Sequence, residues 1–216
     1  GANTGGNRRI SITLKDGSIK EVAAKFEGKR FNSPNDLVID SRGNIYFTDP
    51  RYVGSETREL DHESVFMIDP KGKVSIATRD AKKPNGICIS PDGKTLFVSC
   101  SNSTKVSILD VADNGKNLGT LNCALYASVP NGNTPGSLTL TNDGKLLIVA
   151  NSDANNLSLF QVDNPRKPVP MGYIPTGWYP TSVRYNPTDK KLYVANGKGL
   201  TSRPNSQGPN PLATKD

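Results

Sequence analysis

Short apolar runs separated by polar turns recur along this 216-residue chain at long, nearly regular intervals. The clearest copy is residues 31–50, FNSPNDLVIDSRGNIYFTDP, where Leu37, Val38 and Ile39 lead through Ser41-Arg42-Gly43-Asn44 into Ile45, Tyr46 and Phe47. Three later stretches share that skeleton: PNGICISPDGKTLFVSCSN from Pro84, PGSLTLTNDGKLLIVANSD from Pro135, and YPTSVRYNPTDKKLYVANG with its proline at Pro180. Two apolar runs joined by a turn of Gly, Asn and Asp mark a β-hairpin. The anchoring prolines stand 50, 51 and 45 residues apart, and a period of that size indicates a solenoid, a propeller or an array.

Taken in order, residues 8–24 alternate Ile10, Ile12 and Leu14 with polar neighbours, turn at Asp16-Gly17, and resume with Ile19 and Val22. That is one hairpin on an Asp-Gly turn. The first long copy then supplies four strands, near 36–40, 44–48, 65–68 and 73–78. The second supplies 87–89, 96–98, 105–109 and a last strand within 118–127; the third supplies 138–140, 146–149, 156–161 and 169–174. The fourth has only two, 182–185 and 192–195, before a tail from 200 to 216 rich in Gly, Pro, Asn and Ser.

The expected fold is therefore an all-β propeller of four-stranded antiparallel blades within residues 1–199, followed by an irregular tail. Three blades are complete, and the half units at the two ends predict a fourth, composite blade, because closure would hide both sheet edges. An excerpt of a larger propeller, left open or completed by a second copy, accounts for the same half units. In that case the chain self-associates.

Composition narrows the classes. Twenty glycines and sixteen prolines make about a sixth of the chain, enough for many turns and below the roughly 25–30% of disordered low complexity. The longest aliphatic run, Leu146 to Ala150, is far short of the roughly 18 residues of a membrane helix, so no membrane partner is expected. Net charge is +7, but Lys and Arg are scattered through turns and no recognition helix or aromatic RNA motif accompanies them, so no nucleic-acid partner is expected either. Cys88, Cys100 and Cys123 share no metal spacing and are odd in number, which excludes a full disulfide framework. The chain opens at Gly1 with no signal pattern, which reads as a mature or excised piece.

Four segments carry a resemblance: GNRRI (6–10), GKRFNSPNDLVIDSRGNIYFTDPRYVG (28–54), RELDHESVFMIDPKGKV (58–74) and KPNGICISPDGKTLFVS (83–99). They resemble the family that joins gluconolactonases, senescence marker proteins and luciferin-regenerating enzymes, six-bladed propellers with a divalent metal on the axis. Residues 104–211, with LLIVANSDANNLSLFQV (146–162), GYIPTGWYPTSVRYNP (172–187) and KLYVANGKGLTSRPNSQGPNP (191–211), resemble YVTN-type repeats of surface and periplasmic proteins. That implies a periplasmic or extracellular location and a composite sequence.

The first resemblance implies hydrolysis of a lactone or related ester, with a lactone or sugar acid as the small-molecule partner and calcium or another divalent cation held by amide and carboxylate oxygens. It places Asn85 on the metal-ligand asparagine and Asn35 on the asparagine that faces metal or substrate. The family's glutamate ligand falls before Gly1, and its aspartate falls at Pro135-Gly136-Ser137, so neither carboxylate is supplied. Asp49 and Asp36 are the candidate catalytic carboxylates, with Arg51 and His62 as candidate substrate contacts. Each has a plainer role as well. Asn and Asp build turns, His62 lacks the second histidine of a zinc helix, and Trp178 and Tyr179 fit between blades. A non-catalytic scaffold or binding module is the alternative function.

Overall fold

Strands form where the hairpin pattern places them. The computed structural model describes residues 7–52, 57–113, 115–126 and 132–201, and among these there is no helix. Two hairpins come first: β1 (Ile10–Thr13) with β2 (Ile19–Ala23), then the small β3 (Lys25–Phe26) and β4 (Lys29–Arg30). One four-stranded antiparallel sheet follows from β5 (Leu37–Ile39), β6 (Ile45–Asp49), β7 (Ser64–Ile68) and β8 (Val74–Thr78). A second contains β9 (Pro84–Ile89), β10 (Thr95–Cys100), β11 (Lys105–Asp110) and β12 (Lys116–Asn122). The third contains β13 (Pro135–Leu140), β14 (Leu146–Asn151), β15 (Asn156–Gln161) and β16 (Val169–Pro175), and the hairpin of β17 (Pro180–Asn186) and β18 (Lys191–Asn196) ends the series. The small hairpin β3–β4, with Glu27 and Gly28 at its turn, was not among the expected strands.

The turns explain the repeat. Asp40 accepts from the backbone N–H of Arg42 and Asn44, and Gly43 takes φ +85°. Asp69 does the same for Lys71 and Lys73, with Gly72 at φ +85°. A short acidic side chain that caps the turn and a glycine free to adopt positive φ fix each register.

Alternation along the inner strands then buries both faces of the three four-stranded sheets. Within β10, Leu96 and Val98 join Tyr46 and Val65 of the first sheet, whereas Phe97 joins Leu138, Leu147 and Val149 of the third. Within β14, Leu147 and Val149 face back to the second sheet while Ile148 and Ala150 pack with Val183 of the last hairpin. A side-chain period of two sends successive residues to opposite layers.

The first strands of the successive units stand side by side, β9 between β5 and β13, and β13 between β9 and β17. Their facing edges are laced by side chains. The Ile87 amide donates to Asp36 Oδ2 at 3.2 Å and the Thr48 hydroxyl to the Asn85 carbonyl at 2.6 Å. Further along, the Val183 and Tyr185 amides donate to the hydroxyls of Ser137 and Thr139. Between β9 and β13 the backbones come close, and a Cβ placed on Gly86 would lie 2.4 Å from the Gly136 carbonyl oxygen.

The expected composite fourth blade is not formed among the described residues. β1 pairs with β2 and β17 with β18, each in a sheet of its own. Ile10 and Ala23 of the first hairpin pack with Phe31, Phe47 and Phe66 on one end of the row, and β17–β18 packs against the third sheet at the other. The two hairpins belong to opposite ends of a stack of three sheets, so neither completes the other. Of the expected tail, residues 202–216 lie outside the described residues.

Because the β9–β13 seam has no room for a side chain at position 86, Gly86→Ala should cost about 1–3 kcal/mol, as overpacking does. Thermal unfolding of the variant checks this, and an unchanged melting temperature would show the seam to be looser than described.

Candidate active site on the inner strands

Asn35 lies just before β5 and Asn85 is the second residue of β9, so the β5–β9 seam brings the two expected ligands together. Tyr52, in the loop after β6, joins them. Its hydroxyl oxygen accepts from Nδ2 of Asn85 at 2.9 Å and from Nδ2 of Asn35 at 3.4 Å. The second Nδ2 hydrogen bond of Asn85 goes to the buried Ser101 hydroxyl at 2.7 Å. Burial holds the Tyr52 phenol above its ordinary pKa, so it keeps its proton.

Asp36 sits on the same seam. Its Oδ1 accepts from the Leu37 amide and its Oδ2 from the Ile87 amide, which makes it a clamp between β5 and β9. It remains partly exposed beside Asn35.

Asp49 is placed differently. It is 0% exposed, its Oδ2 accepting from the Asn32 amide at 2.8 Å and its Oδ1 from the Ser33 amide at 2.7 Å. Desolvation outweighs those bonds and the nearby Arg8 charge and raises its pKa to about 6. Such a carboxyl clasps the loop 31–33 and has no opening to a substrate, so the catalytic role expected for Asp49 does not fit its position. His62 joins the same buried network: Nδ1 meets the Ser64 hydroxyl at 2.7 Å and its carbonyl accepts from Asn32. Burial, followed by the Arg79 charge, lowers its pKa below the ordinary 6.5, leaving a neutral ring packed near Phe66.

Arg51 contributes its backbone. Its amide donates to Glu63 Oε1 and its carbonyl accepts from Lys83 Nζ. Glu63 also binds the Lys83 ammonium at 2.9 Å and accepts from the Lys83 amide at 3.0 Å. Burial raises the Glu63 pKa, but these bonds together outweigh it and hold the carboxyl below its usual range. Glu63 thereby ties the Tyr52 loop to Lys83, which stands at φ +49° immediately before Pro84-Asn85. Tyr52 and Glu63 were not singled out from the sequence. Their role depends on a loop and a strand start that meet only in the fold, and the motif RYVG gave no spacing from which to infer it.

Trp178 and Tyr179 lie outside this site. Lys198 Nζ stands 4.2 Å from the Tyr179 ring centroid and 5.5 Å from that of Trp178, and the Tyr179 amide donates to Asn155. They close the junction between the third sheet and the last hairpin.

The donor set meets only part of what a divalent cation needs. Asn35 and Asn85 each leave Oδ1 without a protein donor among the described residues, which suits an oxygen-seeking ion. Both oxygens are neutral, however, and among the described residues no three His, Cys, Asp or Glu side chains gather to hold a metal. Two amides do not compensate a double positive charge, so these residues alone do not fit the cation.

A family model described as the SMP-30/Gluconolactonase/LRE-like region matches residues 2–198. The chain belongs to that family. The match runs through both halves of the chain, across residue 103, so the second half lies inside the family too, and YVTN-type repeats are not what the match identifies there. Gluconolactonase of Zymomonas mobilis is 38% identical over 92 residues, which cover 40% of this chain and 26% of that protein. Lactonase drp35 of Staphylococcus saprophyticus is 24% identical over 115 residues, covering 53% of this chain and 34% of the relative. Among solved structures, a gluconolactonase from Xanthomonas campestris superposes with a TM-score of 0.71 at 29% identity, covering 89% of this chain and 63% of that one. The chain thus spans about a quarter to a third of those curated relatives. An all-β propeller of four-stranded blades is the shared fold, and the row of sheets here corresponds to about two thirds of the Xanthomonas chain.

The buried Asp49 carboxyl predicts a pH dependence of stability. The folded chain holds this proton more tightly than the unfolded chain, whose value is near 3.8, so stability falls as pH rises from about 4 to above 6, by at most about 3 kcal/mol. Asp49→Asn removes that contribution. Melting curves from pH 4 to 8 should show the gap between wild type and variant changing within this window, and a constant gap would mean that Asp49 is ionised throughout.

Proposed function

We propose that this chain carries part of a lactone-hydrolysing site of the gluconolactonase type, formed where β5 and β9 meet. The observation that supports this reading most strongly is that Asn35 and Asn85, which the resemblance aligns with the family's asparagines, share the Tyr52 hydroxyl and keep two amide oxygens free of protein donors among the described residues. In the reaction, water adds to the lactone carbonyl, the ring C–O bond breaks, and a hydroxy acid is released. The amide oxygens would receive the hydroxyl groups of the lactone or sugar acid. Asp36, partly exposed beside Asn35, is the carboxylate best placed to take a proton from water.

Calcium or another divalent cation enters this reading only with an added carboxylate. Gly136, where the family's aspartate is expected, can take a Cβ: one placed there meets the Ser152 hydroxyl at 3.6 Å and the Thr134 carbonyl at 3.9 Å, both ordinary contacts. The second reading, a non-catalytic binding module, is favoured by the same missing carboxylate.

Calorimetry with calcium and an assay of δ-gluconolactone hydrolysis test the proposal. Wild type should hydrolyse the lactone above the spontaneous rate, and Asn85→Ala should lower that activity about tenfold or more, the scale of losing one good polar contact. Gly136→Asp should raise calcium affinity about tenfold or more and raise the melting temperature when calcium is added, since a ligand bound only by the folded state stabilises it. Hydrolysis that ignores Asn85 would place the chemistry elsewhere, and no hydrolysis in any variant would leave the binding module.

A further inference from the structure

We propose that Tyr52 is a positioning residue that holds the side-chain amides of Asn35 and Asn85 with their oxygens presented to the ligand. This rests on the lactone-site reading above.

An asparagine amide is nearly symmetric in shape, so its neighbours decide whether its oxygen or its nitrogen faces a ligand. A phenol oxygen has two lone pairs and can accept from two donors at once. Tyr52 occupies that place for both asparagines, at 2.9 Å from Asn85 Nδ2 and 3.4 Å from Asn35 Nδ2. Ser101 takes the other Asn85 N–H, so both donors of that amide are engaged within the protein. What Asn85 has left is Oδ1, an acceptor. A ligand hydroxyl or a cation requires that end of the amide, and an amide turned by half a rotation would oppose it with N–H groups.

The supports of Tyr52 belong to the same design. On one side of the loop Asp49 is fixed at the end of β6 by the Asn32 and Ser33 amides. Just before Tyr52 the Arg51 amide is fixed by Glu63, which also fixes Lys83 before Asn85. The hydroxyl and the amide it orients are therefore anchored by one carboxylate, and burial keeps the phenol protonated and uncharged. Together these bonds explain why a tyrosine stands where the phenylalanine ring alone would fill the same space.

The test compares wild type, Tyr52→Phe and Asn85→Ala in δ-gluconolactone hydrolysis, gluconate binding by calorimetry, melting temperature, and the side-chain amide resonances of Asn35 and Asn85 in 15N NMR. For Tyr52→Phe the expected result is a rise of about tenfold in KM and in the gluconate Kd. We expect kcat to change by less than about threefold, the melting temperature to stay within about 2 °C, and the Asn85 amide resonances to shift. Should Tyr52→Phe fail to fold, Ser101→Ala removes the other acceptor of Asn85 and should move the same resonances and KM in the same direction. A Tyr52→Phe protein with wild-type KM and unmoved resonances, in a background where Asn85→Ala is impaired, overturns the role of Tyr52 and leaves the lactone site standing. Wild type that neither hydrolyses the lactone nor binds gluconate overturns the lactone site and this role with it.

Discussion

Each unit offers the next an innermost strand whose outer backbone edge has no strand to pair with, and the fold depends on how that edge is satisfied. A buried amide without a partner costs about 1–3 kcal/mol, so side chains from the preceding unit supply the acceptors: Asp36 for Ile87, Ser137 for Val183 and Thr139 for Tyr185. Where no such side chain intervenes, the backbones close directly through Gly86 and Gly136. These bonds set the spacing of adjacent sheets, and the two-sided apolar layers fill in behind them. The candidate site occupies one of these seams, which is why residues from different units, Asn35 and Asn85, come within reach of one hydroxyl.

Most of the architecture was legible because it is local and repeated. Hairpin turns at Asp40–Gly43 and Asp69–Gly72, and alternation within Leu96–Cys100 and Leu146–Asn151, determine strands and faces without reference to distant contacts. Closure was not legible. The half units predict a shared blade only if the row of sheets bends far enough to bring its ends together. Bend is set by packing across the seams, as in the clusters that hold Leu96 with Val65 and Phe97 with Leu138, and no residue spacing encodes it. The chain superposes on 63% of the Xanthomonas relative with a TM-score of 0.71, so the matched sheets make up only part of that longer chain.

Part of the site was legible for the same reason. Asn35 and Asn85 follow repeat prolines, and their positions come from the repeat. Asp49 also follows from the repeat, at the end of β6, yet its function could not, since burial and two backbone donors convert an apparently catalytic carboxylate into a loop clasp. His62, expected as a substrate contact, instead joins that clasp through Ser64 and Asn32. Tyr52 and Glu63 act through partners 12 to 33 positions away, and pairings of that range are visible only in three dimensions.

Position 136 separates packing from chemistry. Gly86 is required by its neighbour, since a Cβ would run into the Gly136 carbonyl, but Gly136 itself is not constrained in this way and its own Cβ would meet only ordinary contacts. The backbone at 136 therefore accepts a Cβ, and the glycine there is a property of the sequence and not a demand of the β9–β13 packing. Because the amide oxygens of Asn35 and Asn85 are neutral, the site as it stands favours hydrogen-bonding ligands over ions. Charge at position 136 is thus separable from the backbone geometry, which the edge bonds on either side already determine.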